Sequence, residues 1–174
     1  KVWVGFYDEN SDKPLETTIG TTILEVIPPF GKSPYMIKSP SPNSKITNVS
    51  VNLLGFSSSP DKKSLLSFAL DNLNIGENLS LSGKITNHGK LNSTNTKIYL
   101  ISYDPFTPPR VLGIATTEID DVIKVGDSYD FNFNVPRDAR ATIFKIVAES
   151  KDYSSGLVDV TKTTVDFISS LVTI

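Results

Sequence analysis

Seven strand-like segments follow one another at short, even spacing over most of the chain, and this rhythm limits the possible fold more than any other feature. Turn residues separate the segments, and no long stretch has the 3.6-residue apolar period of an amphipathic helix. Strands at this spacing predict an all-β fold built as a two-sheet sandwich. The segments lie near residues 64–70, 77–87, 95–103, 110–119, 128–135, 141–149 and 157–167.

Alternation inside two of these segments supports the sandwich, because a strand with one buried face alternates in this way. The turns Asn87-His88-Gly89 and Val125-Gly126-Asp127 each place a glycine where positive φ is predicted. Composition agrees, since 46 of 174 residues are Val, Ile or Thr and only 5 are Ala. The predicted buried faces are Leu79, Leu81, Gly83 and Ile85 in one segment and Tyr129, Phe131, Phe133 and Val135 in the other.

A β-rich N-terminal region, residues 1–62, precedes the regular rhythm. Its first strand is followed by a turn-rich run from Asp8 to Pro14. The polar connection from Ser57 to Lys63 predicts a domain boundary, with the sandwich over residues 63–174. The predicted strands of the N-terminal region are Val2 to Tyr7 (VWVGFY), Thr17 to Ile27 and Ile46 to Phe56, with an irregular stretch from Phe30 to Ser44.

Charge and hydropathy exclude several classes of partner. The net charge of -2 includes no basic block that could neutralise phosphates, so no nucleic-acid partner is expected. No apolar run reaches the roughly 18 residues of a membrane helix, and none is predicted to span a bilayer in the mature chain. The longest apolar runs are Thr22 to Ile27 and Phe167 to Ile174.

The polar residues of the chain are typical of an extracellular, cell-surface protein. Ser, Thr and Asn together make up 49 of the 174 residues, in place of the Lys and Glu of a usual cytosolic surface. No cysteine is present, so neither disulfides nor thiolate chemistry is expected. The first residue is lysine rather than methionine, and we expect that a signal peptide has been removed.

Candidate catalytic and metal-binding residues are few, and we predict neither an enzyme nor a cofactor. The single histidine, His88, lies in a turn and has no Gly-x-Ser-x-Gly motif to support it. Asp8, Asn10 and Asp12 have the spacing of a calcium loop, but Lys13 and Ile19 occupy its glycine and glutamate positions. Scattered carboxylates leave a glycosidase-like pair open. They are Glu16, Glu25, Glu77, Glu118 and Glu149.

Three Asn-x-Ser/Thr sequons predict N-linked glycans at Asn48, Asn78 and Asn92. Their number equals what chance gives in a chain so rich in Asn, Ser and Thr, so placement matters more than count. Asn92 lies in the polar Lys90 to Thr96 loop and is the favoured site. Asn48 and Asn78 lie on or beside strands and could point outward.

The N-terminal strand has no polar side to present to water. Exposed, such a strand would be an aggregation edge, so some groove must receive it. Its own chain could supply that groove by pairing with Thr17 to Ile27, or a neighbouring subunit could accept it as a donor strand. The last segment, Phe167 to Ile174, is a second donor candidate. The predicted donor residues are Val2, Trp3, Val4, Phe6 and Tyr7.

The run from Gly76 to Ser102, GENLSLSGKITNHGKLNSTNTKIYLIS, resembles the opening of CARDB-type cell-adhesion domains. Gly76-Glu77 leads into an alternating strand and then into the Ile85, Asn87 and Gly89 turn, while Gly126-Asp127 resembles the start of a later strand of that family. The resemblance covers about residues 70 to 167 and implies an immunoglobulin-like sandwich.

The whole chain also resembles, more loosely, the thread-type pilins of archaea, which are glycosylated, cysteine-free β proteins joined head to tail by donor strands. This resemblance implies a homopolymer, so we expect a structural subunit of a cell-surface filament. The alternative is an adhesin or a module that binds carbohydrate or an S-layer. That module would use the Phe30 to Pro42 loop, with Phe30 and Tyr35 as contacts.

Overall fold

The computed structural model describes residues 1–161, and every strand and sheet in it supports the predicted all-β fold class. The chain divides into two compact units, of which the first is Lys1–Asp61 and the second begins at Lys62. Among the described residues, no helix is long and apolar enough to cross a membrane. The strands are β1 (Val2–Tyr7), β2 (Glu16–Gly20), β3 (Asn48–Leu53), β4 (Lys63–Ser64), β5 (Leu66–Ile75), β6 (Asn78–Asn87), β7 (Thr96–Tyr103), β8 (Val111–Ile119), β9 (Ser128–Pro136), β10 (Ile143–Glu149), β11 (Tyr153–Ser154) and β12 (Val158–Asp159).

The first unit is an antiparallel sheet of three strands in the order β2-β1-β3. The register places Val4 opposite Thr18 on one side and opposite Val51 on the other. One face of β1 is buried under residues of the long segment between β2 and β3, and this cluster is the core of the unit. It consists of Val2, Val4 and Phe6, with Ile37 and Ile46 packed against them.

The second unit is a sandwich-like arrangement of two sheets, as the rhythm of strands predicted. One sheet has the order β4-β11-β10-β7-β8, with β12 also paired to β10, and the other has the order β5-β6-β9. A single apolar cluster contains residues of both sheets, so the core lies between them. Its most deeply buried members are Leu79, Leu81, Ile85, Ile98, Leu100, Phe144, Ile146 and Val160.

The predicted buried faces of β6 and β9 are confirmed over most of their length. Leu79, Leu81 and Ile85 are buried, and so are Phe131 and Phe133. Gly83 shares this face, because a Cβ there would lie 3.2 Å from Phe131 Cζ. The exceptions are Val135, which is only partly buried, and Tyr129 near the start of β9. Tyr129 is partly exposed, and its hydroxyl donates a hydrogen bond to Asp121.

Three predicted strands are shorter than expected. The segment from Ile46 to Phe56 is a strand only from Asn48 to Leu53. The segment from Thr17 to Ile27 is a strand only as far as Gly20, because Leu24 N–H donates to the Ser33 hydroxyl and Ile23 N–H to the Pro34 carbonyl instead of to a neighbouring strand. The segment 157–167 contains β12, followed by helical backbone at residues 160 and 161. Its remainder lies outside the described residues.

Of the two glycines predicted at positive φ, only Gly126 has it, with φ of 82°. Gly89 is required for space instead, because a Cβ there would overlap the ring of Tyr153. The Tyr153 hydroxyl accepts hydrogen bonds from Lys90 N–H and Leu91 N–H, both at 2.9 Å. The turn after β6 is therefore shaped by a tyrosine that is distant in sequence.

Candidate assembly site

The predicted donor strand is the central strand of its own sheet in this structure. β1 pairs with β2 from Val2 to Phe6 and with β3 from Val2 to Tyr7, so backbone groups on both of its sides are engaged. Of the two grooves predicted for this strand, it occupies here the one in its own chain. Donation to a neighbour stays a prediction, and it requires β1 to leave both partners.

The five predicted donor residues divide between the two faces of β1. Val2, Val4 and Phe6 are buried, whereas Trp3 and Tyr7 are half-buried on the opposite face. A Cβ on Gly5 would lie 2.5 Å from Trp3 Cη2 and 2.9 Å from Tyr7 Cε2. The glycine therefore leaves room for the two aromatic rings to converge over the backbone, which explains why the apolar run is interrupted there.

β1 holds the first unit together. Within this described sheet, β2 and β3 pair with β1 and not with each other. All three buried residues of the core cluster belong to β1. Removing β1 would leave a groove between β2 and β3 with apolar side chains on its floor.

Glu16 and Gly20 of β2 are on the same face of the sheet as Val2 and Phe6, and the segment that follows β2 covers this face. The Glu16 carboxylate accepts a hydrogen bond from the Ser39 hydroxyl and another, of 3.1 Å, from Ser41 N–H. Ile37 lies over Gly20, where a Cβ would be 2.7 Å from the isoleucine Cδ1. β2 is one of the two edge strands of this sheet and contains the charged residue Glu16, and a charged side chain is one of the usual protections of an edge.

The opposite edge, β3, has no such protection. Among the described residues, β3 pairs with β1 alone. Val49, Val51 and Leu53 are 55%, 45% and 64% exposed, although they are on the same face as the buried residues of β1. No charged residue occurs from Ile46 to Pro60. Sequence reasoning missed this edge, and the long uncharged run was the signal that could have indicated it.

Three of the other candidate residues each have a local partner. His88 is exposed, with Nε2 2.7 Å from the Ser67 hydroxyl. Asp8 accepts a 3.0 Å hydrogen bond from Asn10 N–H within its own turn. Glu149 forms a buried ion pair with Lys62 at 3.1 Å. Across residues 1–161, no group of three or more His, Cys, Asp or Glu side chains could hold a metal ion.

The three sequon asparagines are all exposed. Asn48 and Asn78 are the first residues of β3 and β6, and Asn92 lies in the loop before β7. Each is therefore open to attachment of a glycan without disturbing a core.

The loop predicted to bind in an adhesin carries a fully exposed aromatic ring. Phe30 has φ of 59°, a left-handed conformation that is uncommon for a bulky residue. Gly31 N–H donates a 2.8 Å hydrogen bond to the Pro28 carbonyl and closes the turn. Tyr35 is only partly exposed. The turn thus holds one ring, that of Phe30, in water.

The strongest electrostatic perturbations lie in two loops of the second unit. Hydrogen bonds from Arg140 lower the pKa of Asp138 to about 2. Burial raises the pKa of Asp104, but hydrogen bonds from Arg110 and from Phe106 N–H outweigh it and lower the value overall. The Arg110 guanidinium also lies 4.7 Å from the centre of the Phe106 ring. Both shifts therefore have hydrogen bonds within a single loop among their causes.

Comparison with protein-family models gives no match, and comparison with curated proteins gives none either. The resemblances to CARDB-type domains and to thread-type pilins therefore stay predictions. The second donor candidate, Phe167 to Ile174, lies outside the described residues.

Proposed function

We propose that the chain is a structural subunit of an extracellular cell-surface filament, a pilus, in which β1 of one subunit completes the sheet of the next. The role of β1 in the first unit supports this proposal most strongly. It is the shared partner of both neighbouring strands, and it supplies every buried residue of the core cluster. A sheet built in this way can accept the same strand from another copy, because the groove offers it the same contacts.

Exchange of β1 would lose no contact within the sheet. A β1 strand from a second copy would meet the same partners in the same register, with Val4 between Thr18 and Val51. The balance between closed monomer and polymer is then set by the connection between β1 and β2 and by subunit concentration. The β1 strand of the same chain is tethered, so it competes for the groove at an effective concentration on the order of mM. Polymerisation is therefore favoured when subunits fold side by side, where the local concentration of β1 from other copies is also high.

The proposal includes an extracellular location, N-linked glycans at Asn48, Asn78 and Asn92, and a structural rather than catalytic role. The exposure of the three asparagines supports the glycan part of the proposal. Intact mass spectrometry of natively produced protein should show a mass above that of the polypeptide. Asn92→Gln should remove one glycan mass, and a native mass equal to the bare chain would contradict this part of the proposal.

Deletion of residues 1–7 tests the proposed function. We expect the full chain, refolded at high concentration, to form filaments of uniform width in electron micrographs, and the deleted chain to form none. Trp3 is the single tryptophan, so the deleted chain has no tryptophan fluorescence. A synthetic peptide of residues 1–7 should bind the deleted chain with a blue shift of its own emission, because Trp3 becomes half-buried.

A matched peptide in which Val2 and Val4 are replaced by serine is the control. It keeps Trp3 but loses two of the three buried side chains, so its affinity should be at least tenfold lower. Filaments formed by the deleted chain, or a full chain that stays monomeric by light scattering at every concentration, would refute the proposal.

The second candidate function is an adhesin or carbohydrate-binding module, and the display of Phe30 favours it. A bulky residue held at positive φ with its ring in water is an outlier of the kind found at binding sites. Phe30→Ser should abolish binding of the monomer to purified cell-wall glycan and leave the fold unchanged. Equal binding by the variant, or no binding by the parent chain, would remove this candidate.

A further inference from the structure

We infer that β3 is a second interaction surface, at which two copies of the chain pair their β3 strands antiparallel about a two-fold axis through Val51. This edge is different from the one that β1 occupies. The inference therefore holds whether β1 lies in its own sheet or in that of a neighbour.

The backbone N–H and C=O groups of β3 alternate in direction, and this determines which residues are open to a second copy. Leu54 N–H donates a 3.0 Å hydrogen bond to the Lys1 carbonyl, so this end of β3 is hydrogen-bonded to β1 at an even-numbered residue. In an antiparallel pair the direction of these groups alternates along the strand. Val49, Val51 and Leu53 therefore direct N–H and C=O away from β1, toward the open edge.

The alternation also selects the register between two copies. Outward-directed residues must face outward-directed residues of the second strand. Placing Val51 opposite Val51 of the copy brings Val49 opposite Leu53 and engages all three. Each facing pair then exchanges two backbone hydrogen bonds. A shift of two residues in either direction leaves one of the three without a partner.

Side-chain chemistry matches in the same register. Val49, Val51 and Leu53 are on one face of β3, so their aliphatic row meets the same row of the copy. On the other face Ser50 meets Asn52, which pairs a hydroxyl with an amide. The absence of charge from Ile46 to Pro60 means that no like charges face each other across the two-fold axis.

The usual protections against edge pairing are missing from β3. Lysine, proline and charged side chains block free edges in natural sheets. β3, Asn48–Leu53, contains none of them, whereas β2 contains the charged residue Glu16. Pairing would cover side chains that are about half exposed in the single chain and would join two three-stranded sheets into one.

The test removes β1 exchange first, so that failure of this inference and failure of the proposed function are distinguishable. Val4→Cys with Thr18→Cys should form a disulfide that locks β1 in its own sheet, because these residues face each other and the chain has no other cysteine. Light scattering of the oxidised chain over a concentration series should show reversible association to twice the monomer mass.

Val51→Lys in the locked chain should raise the dissociation constant at least tenfold, since it places two ammonium groups at the two-fold axis. Val122→Lys is the matched control, because Val122 is a similarly exposed valine in the second unit. A locked chain that stays monomeric up to its solubility limit would overturn the inference, and so would dimers that tolerate Val51→Lys.

Cysteine scanning gives the register directly. In the chain with no other cysteine, Val51→Cys should oxidise to a disulfide-linked dimer, because the residue faces its own copy. Val49→Cys faces Leu53 of the copy and should cross-link at least tenfold more slowly. Equal rates for the two variants would show random collision and would overturn the proposed register.

Discussion

Replacement of Phe6 by alanine should open the first unit while the second unit stays folded. Phe6 is 6% exposed and is one of only three buried residues in the cluster of the first unit. Truncation of a buried phenylalanine to alanine costs about 3–5 kcal/mol. Burial of the whole cluster contributes about 1.5–3 kcal/mol for each side chain. The substitution therefore removes a large fraction of the apolar stabilisation of this sheet.

Hydrogen exchange measured strand by strand is the assay. A loss of about 3 kcal/mol should speed exchange of the amides in β1 and in the β3 residues that face it more than a hundredfold, since each 1.4 kcal/mol is a factor of ten. The amides of β6, β7 and β10 should keep their protection, because their core is a separate cluster.

Phe56→Ala is the control within the same unit, because the Phe56 ring is 89% exposed. It should change exchange in β1 by less than about threefold, in line with the small effects of surface substitutions. Unchanged protection of β1 in Phe6→Ala, or an equal loss in β6 and β7, would refute the conclusion that the buried face of β1 stabilises the first unit.

Three further predictions concern the second unit. Gly83→Ala should cost about 1–3 kcal/mol in chemical denaturation, because its Cβ would overlap the Ala69 carbonyl oxygen and lie 3.1 Å from Leu70 Cα. Equal stability of Gly83→Ala and Gly113→Ala, whose Cβ meets nothing closer than 3.8 Å, would contradict this. Tyr153→Phe should cost about 1–3 kcal/mol, since two backbone N–H groups lose their acceptor, and an unchanged midpoint would count against it. The pKa of Asp138 should be about 2 when measured by NMR. The contribution of its ion pair to the free energy of unfolding is therefore complete above pH 4 and is lost as the pH falls toward 2. Arg140→Ala should return the pKa of Asp138 toward 3.8, and a pKa that does not move would exclude Arg140 as the cause.

The sandwich was predictable because its strands bury one face each and so alternate visibly in sequence. The segment 128–135 corresponds to β9, which ends at Pro136. The segment from Thr17 to Ile27 was misjudged beyond Gly20, because the hydrogen bond of Leu24 N–H with the Ser33 hydroxyl depends on a residue 9 positions away. Tertiary hydrogen bonds of this kind leave no local periodicity to read.

The assembly site was only half visible in the sequence. The apolar character of β1 predicted that it must be buried, but the pattern does not say which chain supplies the groove. Val49, Val51 and Leu53 resemble core residues in sequence, yet the segment that covers Val2, Val4 and Phe6 does not extend over them. Which part of a face a long loop covers is a property of its path, and the alternation of residues does not encode it.

The location of β1 in the assembled state can be measured with two single-cysteine chains. Val2 and Leu53 face each other across β1 and β3, so one chain carries Val2→Cys and the other Leu53→Cys. Mixed, refolded together and oxidised, they should form a disulfide between different molecules if β1 is donated. Val49→Cys replaces Leu53→Cys in the control, since it lies about 14 Å further along the strand. Donation of β1 predicts cross-linked pairs for Val2 with Leu53 and few for Val2 with Val49. The contrary result is that the mixed chains do not cross-link, while a single chain with both Val2→Cys and Leu53→Cys forms an internal disulfide. In that case β1 stays in the sheet of its own chain, and the filament proposal fails.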